Sequence, residues 1–210
     1  MGLRAVVFDY GMVLTGPPDP EAHQAMVRIT GLTVDQFQSY YWADRLAYDA
    51  GDVTGIGFWQ KLLRDASLNL QPGAAEELNA WDARMWTTQN PAMLAWAGQL
   101  KQHGLLTAIL SNIGDAILAS VEREFDWINS FDVRVWSYQV RAAKPNPAIY
   151  LRLLKELGTR PEETLFLDDK MANIEAARAL GIKALQFSTI ERLRVDLIAN
   201  GLDGELPLPG

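Results

Sequence analysis

The sequence predicts an α/β protein: a three-layer core built on a parallel sheet, interrupted after its first strand by an all-α insert. Three observations predict it. Short apolar runs, partly β-branched, stop abruptly at polar residues, as strands buried on both faces do. Stretches of helical spacing separate these runs, and such alternation implies crossover connections with helices on both faces of the sheet. From about Pro17 to Thr88 the alternation fails, and only helical stretches remain.

In chain order, Ala5–Phe8 is the first strand and ends at Asp9. The insert follows, entered through Thr15-Gly16-Pro17-Pro18 and left through Thr87–Pro91, with helices expected over Glu21–Thr30, Val34–Asp49, Phe58–Ala66 and Ala74–Trp86. Five of the seven Trp lie between Trp42 and Trp96, which reads as helix-packing core rather than a ligand box. Further strands are expected at Leu105–Leu110 before Ser111, Val133–Trp136, Thr164–Leu167 before Asp168, and Lys183–Phe187 before Ser188. The helices between them run Ala92–His103, Ala116–Phe125, Ala148–Leu157 and Ile174–Leu180. Gly104, Gly158 and Gly181 stop three of these, and Pro91 and Pro147 sit where a helix start tolerates a missing N–H. The tail after Gly201, with two Gly and two Pro, is expected to be extended or loosely held.

Composition narrows the chemistry. The 210 residues amount to roughly 1.4 domains at about 150 residues each, one core plus an insert, and 49% apolar content fills such a core. A net charge of −7 argues against nucleic acid and anionic membrane as partners, so a negative substrate needs a local positive site. The absence of Cys excludes disulfides, thiolate zinc sites and cysteine nucleophiles, and two His leave little for a histidine metal site. The first apolar run reaches only Phe8, too short for a signal peptide or a membrane span, so a soluble cytoplasmic protein is expected, as monomer or homodimer.

Carboxylates must therefore do most of any chemistry, and they sit at strand ends. Asp9, Ser111-Asn112 and Asp168-Asp169 each follow an apolar run, and Lys144 precedes Pro145-Asn146-Pro147. Open parallel sheets bind ligands at this carboxyl edge. Each residue alone has a plainer reading as a turn, cap or solvated charge; together they converge. Carboxylate oxygens without His or Cys suit Mg²⁺, which bridges them to substrate phosphate, and a carboxylate can itself be the nucleophile that forms an aspartyl-phosphate. Lys144, Ser111 and backbone N–H groups would hold the phosphoryl oxygens.

The segments FDYGMVL, LSN, KPNPAIY and LFLDDKMANIEAARALGI, in that order, resemble the four motifs of the haloacid dehalogenase superfamily, over the whole chain apart from the tail. The resemblance implies a Rossmann-like core over 1–15 and 89–210 and a helical cap domain over 16–88. It implies a Mg²⁺-dependent phosphohydrolase for a small phosphorylated metabolite such as a sugar phosphate. Asp9 would be nucleophile and metal ligand; Ser111, Asn112 and Lys144 would hold the phosphoryl group. Asp169 would be the direct acidic metal ligand, Asp168 would act directly or through water, and Asn173 would hold metal-bound water or the loop.

One position departs from the commonest form of the family. Two residues after the nucleophile, where most phosphatases carry an acid–base Asp, stands Gly11, which can offer the metal only its backbone carbonyl. General acid–base catalysis is typically worth about 10²–10⁴-fold, so either the leaving group needs little protonation, as in an anomeric or acyl phosphate, or a cap residue supplies the acid. The alternatives are a 2-haloacid dehalogenase and a phosphate-binding module that has lost turnover; phosphoryl transfer to a second substrate is also open. In the cap, Tyr41, Arg45 and Tyr48 fall on one helix face, where Arg45 is a candidate for an anionic or hydroxylated substrate. A surface ion pair of Arg45 with Asp44 or Asp49 is the plainer reading.

Overall fold

All four residues of the first strand, β1 (Ala5–Phe8), are buried, and successive side chains leave by opposite faces. Val6 and Phe8 enter one apolar cluster, Ala5 and Val7 another. The computed structural model describes residues 2–210, and among these β1 is the centre of a five-stranded parallel sheet ordered β3-β2-β1-β4-β5. The others are β2 (Leu106–Ser111), β3 (Val133–Trp136), β4 (Thr164–Asp168) and β5 (Lys183–Gln186). Phe8 pairs with Ile109 on one side and Leu167 on the other, so β2 runs two residues and β4 one residue beyond the end of β1. The chain builds outward from β1 to β3, then crosses to β4 and β5. That reversal places a crevice at the carboxyl ends of β1 and β4.

Helices cover both faces. Five lie between β1 and the rest of the core: α1 (Pro20–Thr30), α2 (Val34–Ala43), α3 (Arg45–Asp49), α4 (Gly55–Asp65) and α5 (Ala74–Met85). The remainder are α6 (Pro91–Gln102), α7 (Asp115–Glu124), α8 (Ser137–Val140), α9 (Pro147–Leu157), α10 (Met171–Ala179) and α11 (Ile190–Ala199). Apolar residues of α6, α7 and α11 join Phe8 on one face, while those of α9 and α10 join Val7 on the other. The result is the three-layer, Rossmann-like α/β fold. Local chemistry explains the helix starts: Asn90 and Asn146, which precede Pro91 and Pro147, accept from the N–H groups of Met93 and Ala148, and Thr33 forms a reciprocal cap with Gln36.

The insert hangs from two adjacent crossings. Thr15 bridges Gln89, Gly16 N donates to Thr88 O at 2.9 Å, and Asn90 N donates to Leu14 O at 2.9 Å. Beyond them its apolar residues, Phe37, Tyr41, Phe58 and Trp59 among them, continue the cluster that holds Phe8 and Trp96. No helix is long and apolar enough to cross a membrane among the described residues.

Three expectations are corrected. The helix expected over Val34–Asp49 breaks at Asp44, whose backbone is not helical (φ −116°, ψ 12°), so α2 and α3 are separate. The tail is not loose: Leu202 and Leu206 are buried in the main cluster, and Trp96 Nε1 donates to Pro207 O at 2.7 Å. The Trp residues divide, because Trp59 and Trp96 are fully buried while Trp42 and Trp86 line a cavity.

Candidate active site

The strand ends bring the site together. Asp9 directly follows β1, and its backbone N–H is fixed on Leu167 O at 2.9 Å. Its Oδ1 accepts from Tyr10 N at 2.7 Å and from Lys144 Nζ at 2.9 Å, while Oδ2 accepts no hydrogen bond from the described residues. The backbone then makes a wide turn, Tyr10–Leu14, in which Thr15 N reaches back to Tyr10 O and Met12 takes a left-handed φ of +62°. Thr15 Oγ1 holds that strained residue by its N–H at 3.1 Å.

Lys144 arrives from the loop before α9 and is 1% exposed. Its ammonium donates to Leu110 O at 2.8 Å and Asp168 Oδ2 at 2.6 Å, besides Asp9. Burial alone would push the lysine down, but Asp9 and Asp168 more than offset it and hold the pKa above its usual value. It therefore stays cationic. Asp168 is fully buried; despite that burial, Lys144 leads the interactions that hold its carboxyl below the ordinary range. Asn173 Nδ2 lies 2.9 Å from both Asp168 oxygens, and Lys170 N donates to Oδ1 at 2.8 Å.

The remaining acids carry the opposite tendency. Burial pushes Asp9 up to about 7 against the pull of Lys144, with Asp168 adding to the rise. Asp169, half-buried, is raised by burial and by Asp168. Ligand oxygens of Asp9, Asp168 and Asp169 lie within 4.8 Å of one another, against the single ammonium of Lys144. An all-oxygen donor set with excess negative charge fits a hard divalent cation such as Mg²⁺, which would relieve the cost of ionising Asp9.

A cavity of about 340 Å³ opens over these groups. Asp9, Gly11, Ser111, Asn112, Lys144, Asp169 and Asn173 line it, while Asp168 stands behind. Two of the sequence candidates in the cavity wall, Asn112 and Arg45, have their side chains engaged by protein groups. Asn112 is not free to hold phosphate by its side chain: Oδ1 accepts from Lys144 N at 2.7 Å and Nδ2 donates to Lys144 O at 2.9 Å, so the amide clamps the lysine's own peptide. Arg45 makes no surface pair; it is 5% exposed, with Nη1 on Asp82 at 3.1 Å and on the Tyr41 hydroxyl, and Nε on Asp49 Oδ1 at 3.1 Å. Asp44 pairs instead with Lys61 at 2.6 Å.

The sequence reading missed most of the cavity's outer wall. Tyr10, Met12, Pro18, Trp42, Asp49, Trp86 and Lys170 all line it. Lys170 stands 5.6 Å over the Trp42 ring, tying the loop after β4 to the insert. Its place directly after Asp168-Asp169 was the signal available; for Trp42 and Trp86 there was none, since packing decides which tryptophans face a void.

Comparison with known proteins agrees with this architecture. The family model of haloacid dehalogenase-like hydrolases matches residues 3–181. The chain is 29% identical over 192 residues to "Phosphatase MT3486" of Mycobacterium tuberculosis (strain CDC 1551 / Oshkosh), covering 88% of this chain and 87% of that protein. It is 28% identical to (S)-2-haloacid dehalogenase 1 of Pseudomonas sp. (strain CBS-3), over 90% and 86% of the two chains. It also matches, with 87% of its own length, only 18% of Acyl-CoA dehydrogenase family member 10 of Mus musculus, at 27% identity. Among solved structures, an enzyme of the same family from Bacteroides thetaiotaomicron, in complex with magnesium and inorganic phosphate, shares the fold. Its TM-score is 0.73 at 22% identity, over 89% of this chain and 95% of that one. By its four motifs, its sheet order and the family match across most of its length, the chain belongs to the haloacid dehalogenase-like hydrolases.

Proposed function

We propose that the chain is a magnesium-dependent phosphohydrolase that releases phosphate from a small phosphorylated metabolite through an aspartyl-phosphate on Asp9. The observation that carries this reading is the cluster of Asp9, Asp168 and Asp169 around Lys144. Lys144 holds Asp9 Oδ1 and leaves Oδ2 as the attacking oxygen. Ser111, 1% exposed at the end of β2, binds the phosphoryl oxygens, and the Lys144 ammonium, whose donors already go to Leu110 O, Asp9 and Asp168, offsets their charge from the cavity wall. Asp9, Asp169 and the Gly11 carbonyl are the residues that would hold magnesium. Asp168, whose oxygens already accept from Lys144, Asn173 and Lys170, sets the position of the other groups. When bound, the ion would offset charge on the phosphoryl oxygens and orient them toward Asp9.

The core over 1–15 and 89–210 performs the chemistry in this reading, and the helical insert over 16–88 acts as a cap that reads the rest of the substrate. The phosphatase MT3486 likeness supports the substrate class; the dehalogenase likeness favours a second reading, carbon–halogen cleavage by the same Asp9. Asp168 and Asp169 weigh against the latter, because two further acids repel a carboxylate substrate and a departing halide. Purified protein incubated with 4-nitrophenyl phosphate decides between them. Magnesium-dependent phosphate release that Asp9→Asn abolishes is the expected result. Metal-independent halide release from a 2-haloacid would replace this reading with the dehalogenase. Beryllofluoride binding without either turnover would replace it with a binding module.

A further inference from the structure

Gly11 leaves the leaving oxygen without a proton donor next to the nucleophile. Its own surroundings do not make up the loss, since a Cβ built there would meet only the Trp86 ring, at 3.8 Å. The proton has to come from another wall of the cavity. The candidates can be taken in turn. Asp169 belongs to the cation cluster, and Lys144 is fixed between two carboxylates. Arg45 does not give up a proton in proteins. The Tyr10 hydroxyl already donates to Trp86 O at 2.8 Å, and burial raises its pKa far out of reach. Lys170 is a cation beside Trp42, suited to hold charge rather than to shuttle it.

Asp49 is what remains, and several independent contacts place it. It closes α3, is 8% exposed and lines the cavity with Asp9 and Gly11. Its backbone carbonyl accepts from Ser137 Oγ at 2.5 Å, and that hydroxyl in turn accepts from Ile113 N at 2.9 Å. The insert is thus fastened at Asp49, through Ser137, to the loop that follows Ser111. The next turn is pressed against the core as well: a Cβ on Gly51, φ +78°, would lie 2.9 Å from Tyr138 O. The carboxylate is delivered from the insert and locked by the core.

Its bonding suits proton exchange. Arg45 serves two acids, and Asp82 takes the larger share, with both oxygens near Nη1 and the Tyr41 hydroxyl donating to Oδ1 at 2.7 Å. Among the described residues the Asp49 carboxylate keeps one bond, from Arg45 Nε to Oδ1, and its Oδ2 accepts none. Two carboxylates around one guanidinium leave one negative charge in excess, which a proton on Asp49 can neutralise without orphaning Arg45. Burial pushes the Asp49 carboxyl up despite Arg45, in the direction an acid needs.

We propose that Asp49 is the catalytic acid and base of this enzyme, supplied by the insert in place of the residue missing at position 11. This rests on the phosphohydrolase reading. Asp9 Oδ2 attacks phosphorus and the bond to the leaving oxygen breaks, its electron pair staying on oxygen, which takes the proton from Asp49. A water then attacks the aspartyl-phosphate and gives its proton to the Asp49 carboxylate, while the bond between phosphorus and Asp9 breaks and returns its electrons to Asp9. Phosphate and alcohol leave, and Asp49 is protonated again.

Two esters test it, 4-nitrophenyl phosphate, whose leaving group needs no proton, and a primary alkyl phosphate, whose leaving group does. Asp49→Asn is expected to lower kcat/KM for the alkyl ester by about 10²–10⁴-fold while sparing the first turnover of the aryl ester. Slow release of the acyl-phosphate then appears as a burst of nitrophenolate. Gly11→Asp in the Asp49→Asn background should restore alkyl ester hydrolysis. Asp82→Asn, which leaves Arg45 to Asp49 alone and removes the excess negative charge, should lower the alkyl ester more than the first turnover of the aryl ester. Equal losses on both esters in Asp49→Asn would overturn the assignment and leave Asp49 a packing residue.

A variant that retains Asp49 covers the case in which Asp49→Asn does not fold. Gly11→Asp alone should raise alkyl ester turnover less than about tenfold, because the acid is already present. A larger gain means that no acid was there. A parent inactive on both esters with magnesium present removes the phosphohydrolase reading itself, whereas an active parent indifferent to Asp49→Asn removes only this assignment.

Discussion

Lys144 illustrates how much rests on one side chain. Among the described residues it is the only ammonium between Asp9 and Asp168, and all three are buried. Lys144→Met leaves two carboxylates facing each other in a low-dielectric interior, and breaking a buried pair in this way costs about 3–5 kcal/mol. Urea unfolding in metal-free buffer should show that loss, with part of it recovered on adding excess magnesium, which binds only the folded form. An unchanged midpoint would mean that Asp9 takes up a proton at no cost. At this scale the sequence was informative where a residue closes an apolar run, as Asp9, Ser111 and Asp168 do. It was silent on where hydrogen bonds end. Asn112 looks like a ligand residue in LSN, yet its amide is spent on the Lys144 peptide; Arg45 looks exposed beside Asp44, yet it lies buried on Asp82.

Elements were legible in proportion to how fully they are buried. The strands stand out because neither face can tolerate a polar residue, whereas α11 escaped notice because only Leu193 and Leu197 of it are buried. The break at Asp44 was invisible to spacing, since Tyr41, Arg45 and Tyr48 stay together across it through their contacts with Asp82 and one another. Tyr48 of α3 also reaches the start of α7, where a Cβ on Gly114 would fall 2.1 Å from its ring. Gly114→Ala must therefore push insert and core apart or displace α7. An overpacking cost of at least about 1–3 kcal/mol is expected, read from thermal unfolding. A variant as stable as the parent would show that this ring gives way freely.

For the molecule as a whole, the sheet's opposite edge matters as much as the site. Arg4 N donates to Glu163 O at 2.8 Å, and the Glu163 carboxylate meets Arg160 at 2.8 Å and Arg4 at 3.7 Å, joining the chain's first strand to the turn before β4. Arg160 holds the Glu163 carboxyl down to about 2, from an ordinary 4.5. Its stabilisation is complete above the ordinary value and drains away as pH falls from there toward 2. Melting temperatures measured from pH 5 down to 2 should fall less steeply in Glu163→Gln than in the parent; parallel curves would mean that the pair contributes nothing.

The two crossings at Thr15–Gly16 and Thr88–Asn90 leave the ends of the insert side by side, 2.9 Å apart at Gly16 N and Thr88 O. A short link could close that gap at little entropic cost, so nothing in the strand register depends on how long the intervening stretch is. Backbone geometry makes it a replaceable part. What ties it to this particular core is local fit: the Tyr48 ring over Gly114, Gly55 N on Asp115 at 2.9 Å, and the Asp49 carbonyl on Ser137 Oγ. A graft that kept those three seats could carry a different substrate-facing wall, leaving the order of carboxylates at the strand ends untouched.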